Sequence, residues 1–148
     1  MLKEVPITNT HQEQATLLSS MHMLNKQISA KFEKCTGIGQ SRLGILHYLY
    51  QVEEMSQTTL QKEVNIDHAA ITRHLKQLEA SGMVARRKSA EDNRVTLVCL
   101  TEEGRSKILH YQNEKDHFIQ QMLSGFSKDE LNLLADMVER MNQNISRF

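Results

Sequence analysis

Arg73 and Lys76 lie three residues apart, and Arg86, Arg87, Lys88 and Arg94 crowd into a short stretch further on. A guanidinium presents a planar fork that fits a phosphate or the edge of a guanine, whereas a lysine ammonium acts as a point charge. From Lys62 to Arg94 there are seven basic residues against five acidic ones, and His68 and His74 can add partial charge. The whole chain is balanced, with eighteen basic and eighteen acidic residues, so this local excess carries the electrostatic signal. Reaction chemistry finds no support. There is no HExxH, no GxSxG and no glycine-rich phosphate loop, and the acid–histidine neighbours Asp67–His68 and Asp116–His117 are ordinary surface pairs. An enzyme is not expected, and no cofactor is called for.

The basic residues need elements to aim them. Ser56 suits the N-cap of a short helix from Gln57 to about Val64, Asn65-Ile66 makes a turn, and Asp67 caps a second helix from His68 to Ser81. Ile71, Leu75 and Leu78 recur at helical spacing and form its buried face. The other face carries Ala69, Thr72, Arg73 and Lys76, with His68 at its start, and nothing bulky blocks its first turn. Gly82 stops this helix. Residues 83–88 and 94–100 then read as a two-stranded hairpin with a polar tip at Ala90-Glu91-Asp92-Asn93.

Two helices followed by a basic hairpin point to a double-stranded DNA partner. The N-terminal residues of a recognition helix meet base edges, where Arg73 can take a guanine and the Thr72 methyl a thymine. Lys76 is placed for a phosphate, and Gln57 and Thr58, opening the shorter helix, suit the backbone as well. Arg86, Arg87, Lys88 and Arg94 bracket the hairpin tip, where a long cation can enter a narrow minor groove. Asp92, two residues before Arg94, can hold its guanidinium in one orientation. The blander reading is a solvated basic surface with a local pair of little energy.

The flanks are helical. Leu17, Met21, Leu24, Ile28 and Cys35 form an apolar stripe from Thr10 to Cys35, and Thr36-Gly37-Ile38-Gly39 breaks that helix. A helix from about Gln40 to Val52 is expected to turn Leu43, Leu46, Leu49 and Tyr50 inward. Thr101-Glu102-Glu103 opens a helix bearing Ile108, Tyr111, Phe118, Met122 and Phe126 up to a break at Gly125. Ser127 and Glu130 form a capping box before a last helix with Leu131, Leu134, Val138, Met141, Ile145 and Phe148 along one edge. The fold class is therefore mainly α with a small β-hairpin wing. One domain is expected for 148 residues. Two-fold self-association would bury the stripes of the first and last helices together; packing on each other within one subunit is the alternative.

The stretch EASGMVARRKSAEDNRVTLVCLTEEGR, residues 79–105, resembles the MarR family of winged-helix transcriptional regulators. Asp92, Arg94, Leu100 and Thr101 match its wing signature, and Leu60, Val64, Ile71-Thr72-Arg73, Leu78-Glu79 and Gly82 follow its pattern. The resemblance implies a homodimer on a palindromic operator. Residues 10–36 and 101–148 would dimerise, and 40–100 would form the DNA-binding lobe, its helix-turn-helix at about 56–81 and its wing at about 83–100. Arg94 would be the minor-groove arginine and Asp92 its positioning partner. The combination reads as a repressor released by a ligand or stress signal; a winged-helix module used only for protein contacts is the alternative.

Relatives commonly sense small phenolic or carboxylate effectors, and His22, Lys26, Arg42 and His47 are the polar candidates for such a site, with Met21, Met23 and Met55 as walls. A redox role for Cys35 or Cys99, or zinc at the seven histidines, is a lesser alternative. The cysteines form no CxxC pair, and His110 and His117 stand two helical turns apart, so no metal site is assigned. No apolar run approaches a membrane span, and MLKEVPITNT has no signal-peptide core, so a cytoplasmic protein without a membrane partner is expected.

Overall fold

A computed structural model describes residues 10–148. Of the MLKEVPITNT segment, the first nine residues lie outside the described residues. The elements run α1 (Thr10–Thr36), α2 (Gln40–Tyr50), β1 (Met55–Ser56), α3 (Gln57–Val64), α4 (His68–Ala80), β2 (Val84–Lys88), β3 (Thr96–Leu100), α5 (Glu102–Met122) and α6 (Lys128–Ile145). They form two compact units, one through Lys115 and one from Asp116 onward.

The core of the first unit gathers where α2, α3, α4 and the sheet meet. Leu46, Leu49, Leu60, Ile71, Leu75, Leu78 and Val98 are fully buried there, and Ile108 of α5 is fully buried as well. Each such side chain contributes roughly 1.5–3 kcal/mol by leaving water. The face of α4 predicted from spacing, Ile71, Leu75 and Leu78, is the buried one.

The caps form as the residue types predict. The Ser56 side chain accepts from the Thr59 amide at 3.1 Å and Asp67 Oδ1 from the Ala70 amide at 2.7 Å. These bonds satisfy amides that the first turn of a helix leaves free. Gly82 follows α4 with φ of +77°, the left-handed conformation a glycine adopts at little cost.

Four expectations need correction. The sheet has three antiparallel strands in the order β1-β3-β2, because the two-residue β1 pairs Met55 with Val98 and Ser56 with Leu97. Tyr50 turns outward, where the Arg105 guanidinium lies 5.5 Å above its ring. Cys35 is exposed, and Phe32 and Thr36 are instead the buried residues of α1. Phe126 lies beyond the end of α5 and is exposed.

One close approach fixes the join between sheet and α5. The Thr101 hydroxyl donates to the Gly82 carbonyl at 2.6 Å and accepts from the Gly104 amide at 3.0 Å. A side chain at residue 104 would run into the Met83 carbonyl, so glycine is required there. Met83 also accepts the Thr101 amide, which seats α5 on the end of the wing.

The second unit is dominated by α6. Ser127 Oγ accepts from the Glu130 amide at 3.1 Å and Glu130 Oε1 from the Ser127 amide at 2.9 Å, the reciprocal capping box the sequence predicts. No residue of α6 is buried, and Leu133, Leu134, Met137, Val138 and Ile145 stand exposed along it. Among the described residues, no helix is long and apolar enough to cross a membrane.

Candidate nucleic-acid interface

The tight turn between α3 and α4 places the two helices in register. Asn65 closes α3 in the left-handed conformation with φ of 52°, and its amide bonds back to the Lys62 carbonyl. Asparagine tolerates that conformation better than most residues. Gln57 Nε2, at the start of α3, then reaches Thr72 Oγ1 on α4 at 3.4 Å, and the Thr72 hydroxyl donates to the His68 carbonyl at 2.9 Å.

His68, Ala69, Thr72, Arg73 and Lys76 are all exposed, along the side of α4 opposite its buried face. Among the described residues neither Arg73 nor Lys76 enters an ion pair, so both charges remain available to a ligand. Thr58 is exposed and Gln57 half-buried at the mouth of the same surface.

The wing divides its cations into two groups. Arg86 forks onto both carboxylate oxygens of Glu79 on α4, each at 3.2 Å, and Arg87 onto Glu54 before β1, at 3.0 and 2.7 Å. These pairs lash the hairpin to the helix beside it and to the segment before β1. Hydrogen bonding by Arg86 holds the Glu79 carboxyl below its ordinary pKa. Lys88 donates to Thr96 across the strands at 3.1 Å. Arg94 differs: its side chain is 92% exposed at the tip, and among the described residues its one carboxylate partner is the neighbouring Asp92.

Asp92 grips Arg94 three times, through Arg94 N to Oδ1 at 3.0 Å, Nε to Oδ1 at 3.1 Å and Nη2 to Oδ2 at 3.3 Å. The Arg94 side chain and then its amide hold the Asp92 carboxyl below the usual aspartate value. The tip closes with Ser89 N to the Val95 carbonyl and Val95 N to the Asp92 carbonyl. The guanidinium is thereby oriented before any partner arrives.

The four candidate effector residues do not converge. Arg42 pairs with Glu33 at 3.0 Å and lines a cleft of about 390 Å³ between α1, α2 and α4. His47 bonds Gln51 at 3.0 Å and Gln112 at 3.3 Å beside a separate pocket of about 170 Å³, walled by Phe32, Leu43 and Tyr48. His22 and Lys26 are exposed on α1 and line neither. Of the proposed methionine walls, Met21 and Met23 are exposed and Met55 sits in β1. Among the described residues, no three His, Cys, Asp or Glu side chains are placed to hold a metal ion.

Sequence reasoning missed Glu54 and Glu79 as anchors of the wing, because their partners lie 33 and seven residues away and no local pattern links them. His74, expected from the sequence to add partial charge, instead has its Nδ1 buried without a hydrogen-bond partner. Burial, then the charges of Arg73 and Arg42, push the His74 pKa below its ordinary value, which works against the added charge expected there.

A short α3, a tight turn, an α4 with one open face and a three-stranded sheet ending in a cationic tip make a winged helix-turn-helix. Residues 38–96 match the model of the MarR family. A transcriptional regulator of the HTH type from Bacillus subtilis strain 168, YdgJ, is 53% identical over 136 residues, which span 92% of this chain and 83% of that protein. The chain belongs to the MarR family of transcriptional regulators. Among solved structures, a MarR mutant from Escherichia coli in complex with operator DNA shares the fold with a TM-score of 0.76 at 22% identity, covering 90% of this chain and 99% of that one. BldR from Sulfolobus solfataricus has a TM-score of 0.71 at 22% identity, covering 95% and 100%. BpsR from Bordetella bronchiseptica, whose DNA binding is regulated by 6-hydroxynicotinic acid, has a TM-score of 0.74 at 18% identity, covering 86% and 98%.

Proposed function

We propose that this regulator is a cytoplasmic homodimeric repressor that holds a palindromic operator and lets go when a small organic effector binds. The observation that carries this reading is the pairing of an open α4 face with a pre-oriented Arg94 at the wing tip. In it, Ala69, Thr72 and Arg73 meet base edges in the major groove, and Arg94 enters the adjoining minor groove. Gln57, Thr58, His68 and Lys76 hold the sugar–phosphate backbone. Arg86 and Arg87, already committed to Glu79 and Glu54, contribute mainly by fixing the wing against α4 and β1.

Self-association is supported by the apolar residues left in water. Leu17, Leu18, Met21 and Leu24 on α1, and Leu134, Val138 and Ile145 on α6, are each at least 38% exposed. A two-fold partner would cover them and repeat the reading helix about 34–36 Å along the duplex. Release then follows from differential affinity: the effector must favour an arrangement of the reading helices that does not fit the operator.

The test is selection of bound fragments from random DNA, followed by titration of the recovered site at several salt concentrations. A palindromic consensus and an affinity that falls steeply with salt are expected, because neutralised phosphates release counterions. Absence of a consensus, with affinity independent of salt, would place the protein among winged-helix modules that serve protein contacts.

A further inference from the structure

The cleft behind the reading helix has an unusual lining. It opens between the end of α1, the start of α2 and α4, and every side chain along it is polar or absent, from Ser29 to Gln77. Two arginines reach it from different helices, Arg42 from α2 and Arg73 from α4. The only acid among the lining residues, Glu33, is already held by Arg42. Nothing among the described residues neutralises Arg73. α2 begins at this cleft with Gly39 as its N-cap, which offers no side-chain acceptor to the first-turn amides. His74, on the same wall, adds a ring whose Nδ1 lacks a partner.

We infer that this cleft binds a small polar oxyanion, a carboxylate or phosphate on a hydroxylated body, and that the bound anion competes with the operator for Arg73. The inference rests on the reading of α4 as the DNA-facing helix and names the ligand class and place of its control. A volume of about 390 Å³ suits a small metabolite. No Leu, Ile, Val, Met, Phe, Tyr or Trp lines the cleft, and this lack of a hydrophobic wall disfavours a large apolar ring as the ligand body. Arg42 anchors the anion, and Arg73, at the border between cleft and DNA-facing surface, turns inward to complete a two-arginine clamp. An arginine drawn into that clamp is lost to the duplex. The coupling is reciprocal, so operator DNA weakens the anion by the same factor.

Citrate and glucose 6-phosphate are the probes for the two anion classes, with inorganic phosphate and salicylate as comparators. Each is titrated calorimetrically into the DNA-free full chain at constant ionic strength. At least one of the two probes is expected to bind with a Kd below about 1 mM and roughly tenfold tighter than salicylate. Whichever binds identifies the class. Arg42→Met is expected to weaken that probe at least tenfold while the melting curve shows a folded protein, since an exposed ion pair adds little to stability. The saturating probe is expected to lower the affinity of the wild type for its selected operator about fivefold or more, and to leave that of Arg42→Met unmoved. Failure of both probes to bind, binding indifferent to Arg42→Met, or binding without effect on the operator overturns the inference. Calorimetry is read without DNA, so a protein that selects no operator at all would refute the DNA reading separately.

Discussion

At the scale of single residues, the wing arginine and its acid behave as one group. Asp92 is half-buried, and Arg94 lowers its pKa by bonding the carboxylate through both side chain and amide. A depressed carboxyl contributes its interaction above the unfolded pKa and loses it as pH falls through the folded value. The pair should therefore persist through the range where a free aspartate protonates. An NMR titration of the Asp92 carboxyl is expected to show a midpoint below that of free aspartate, moving back toward it in Arg94→Ala. The same variant should weaken operator binding about 10- to 100-fold, the equivalent of roughly 1–3 kcal/mol, while sedimentation shows an unchanged oligomer. Arg73→Ala should relax base preference at one position of the selected site as well as reduce affinity. A uniform loss across all sequences would assign Arg73 to phosphate.

At the scale of elements, two glycines predict opposite outcomes. Gly104 at the start of α5 sits against the Met83 carbonyl, so Gly104→Ala must displace backbone and is expected to cost about 1–3 kcal/mol in thermal or urea unfolding. Gly44 lies inside α2 with nothing within 4 Å of an added methyl. Gly44→Ala should stabilise by about 0.5–1 kcal/mol, because alanine loses less freedom in a helix. Comparing the two separates a glycine held for space from one held for no packing reason. The joint at Gly104 also explains the Leu100-Thr101 pair of the wing signature: Leu100 fills the core, and the Thr101 hydroxyl ties Gly82 to the first turn of α5.

At the scale of the whole molecule, the proposed dimer turns on the exposed apolar residues of α6. Leu134 and Val138 lie one helical turn apart and are 43% and 40% exposed. Leu134→Asp combined with Val138→Asp should give a folded monomer in analytical ultracentrifugation and a large loss of operator affinity, because one reading helix holds only a half-site. A dimer surviving both charges would move the interface elsewhere.

How far the sequence carried the reading depends on the range of each interaction. Caps at Ser56, Asp67 and Ser127, the buried stripe of α4 and the Asp92–Arg94 pair all join residues a few positions apart, so residue type and spacing determine them. The winged helix-turn-helix was legible for that reason. Tertiary structure decided the rest. β1 is two residues long and carries no periodicity; it is a strand only because β3 lies beside it. Tyr50 faces water because Arg105, 55 residues on, bonds its carbonyl and covers its ring. Arg86 and Arg87 look as free as Arg94 along the chain, and folding brings Glu79 and Glu54 to them, whereas Arg94 pairs with its own neighbour Asp92. Arg42, Arg73 and His74 meet at one cleft for the same reason: the juxtaposition belongs to three packed helices, and no segment of the chain encodes it alone.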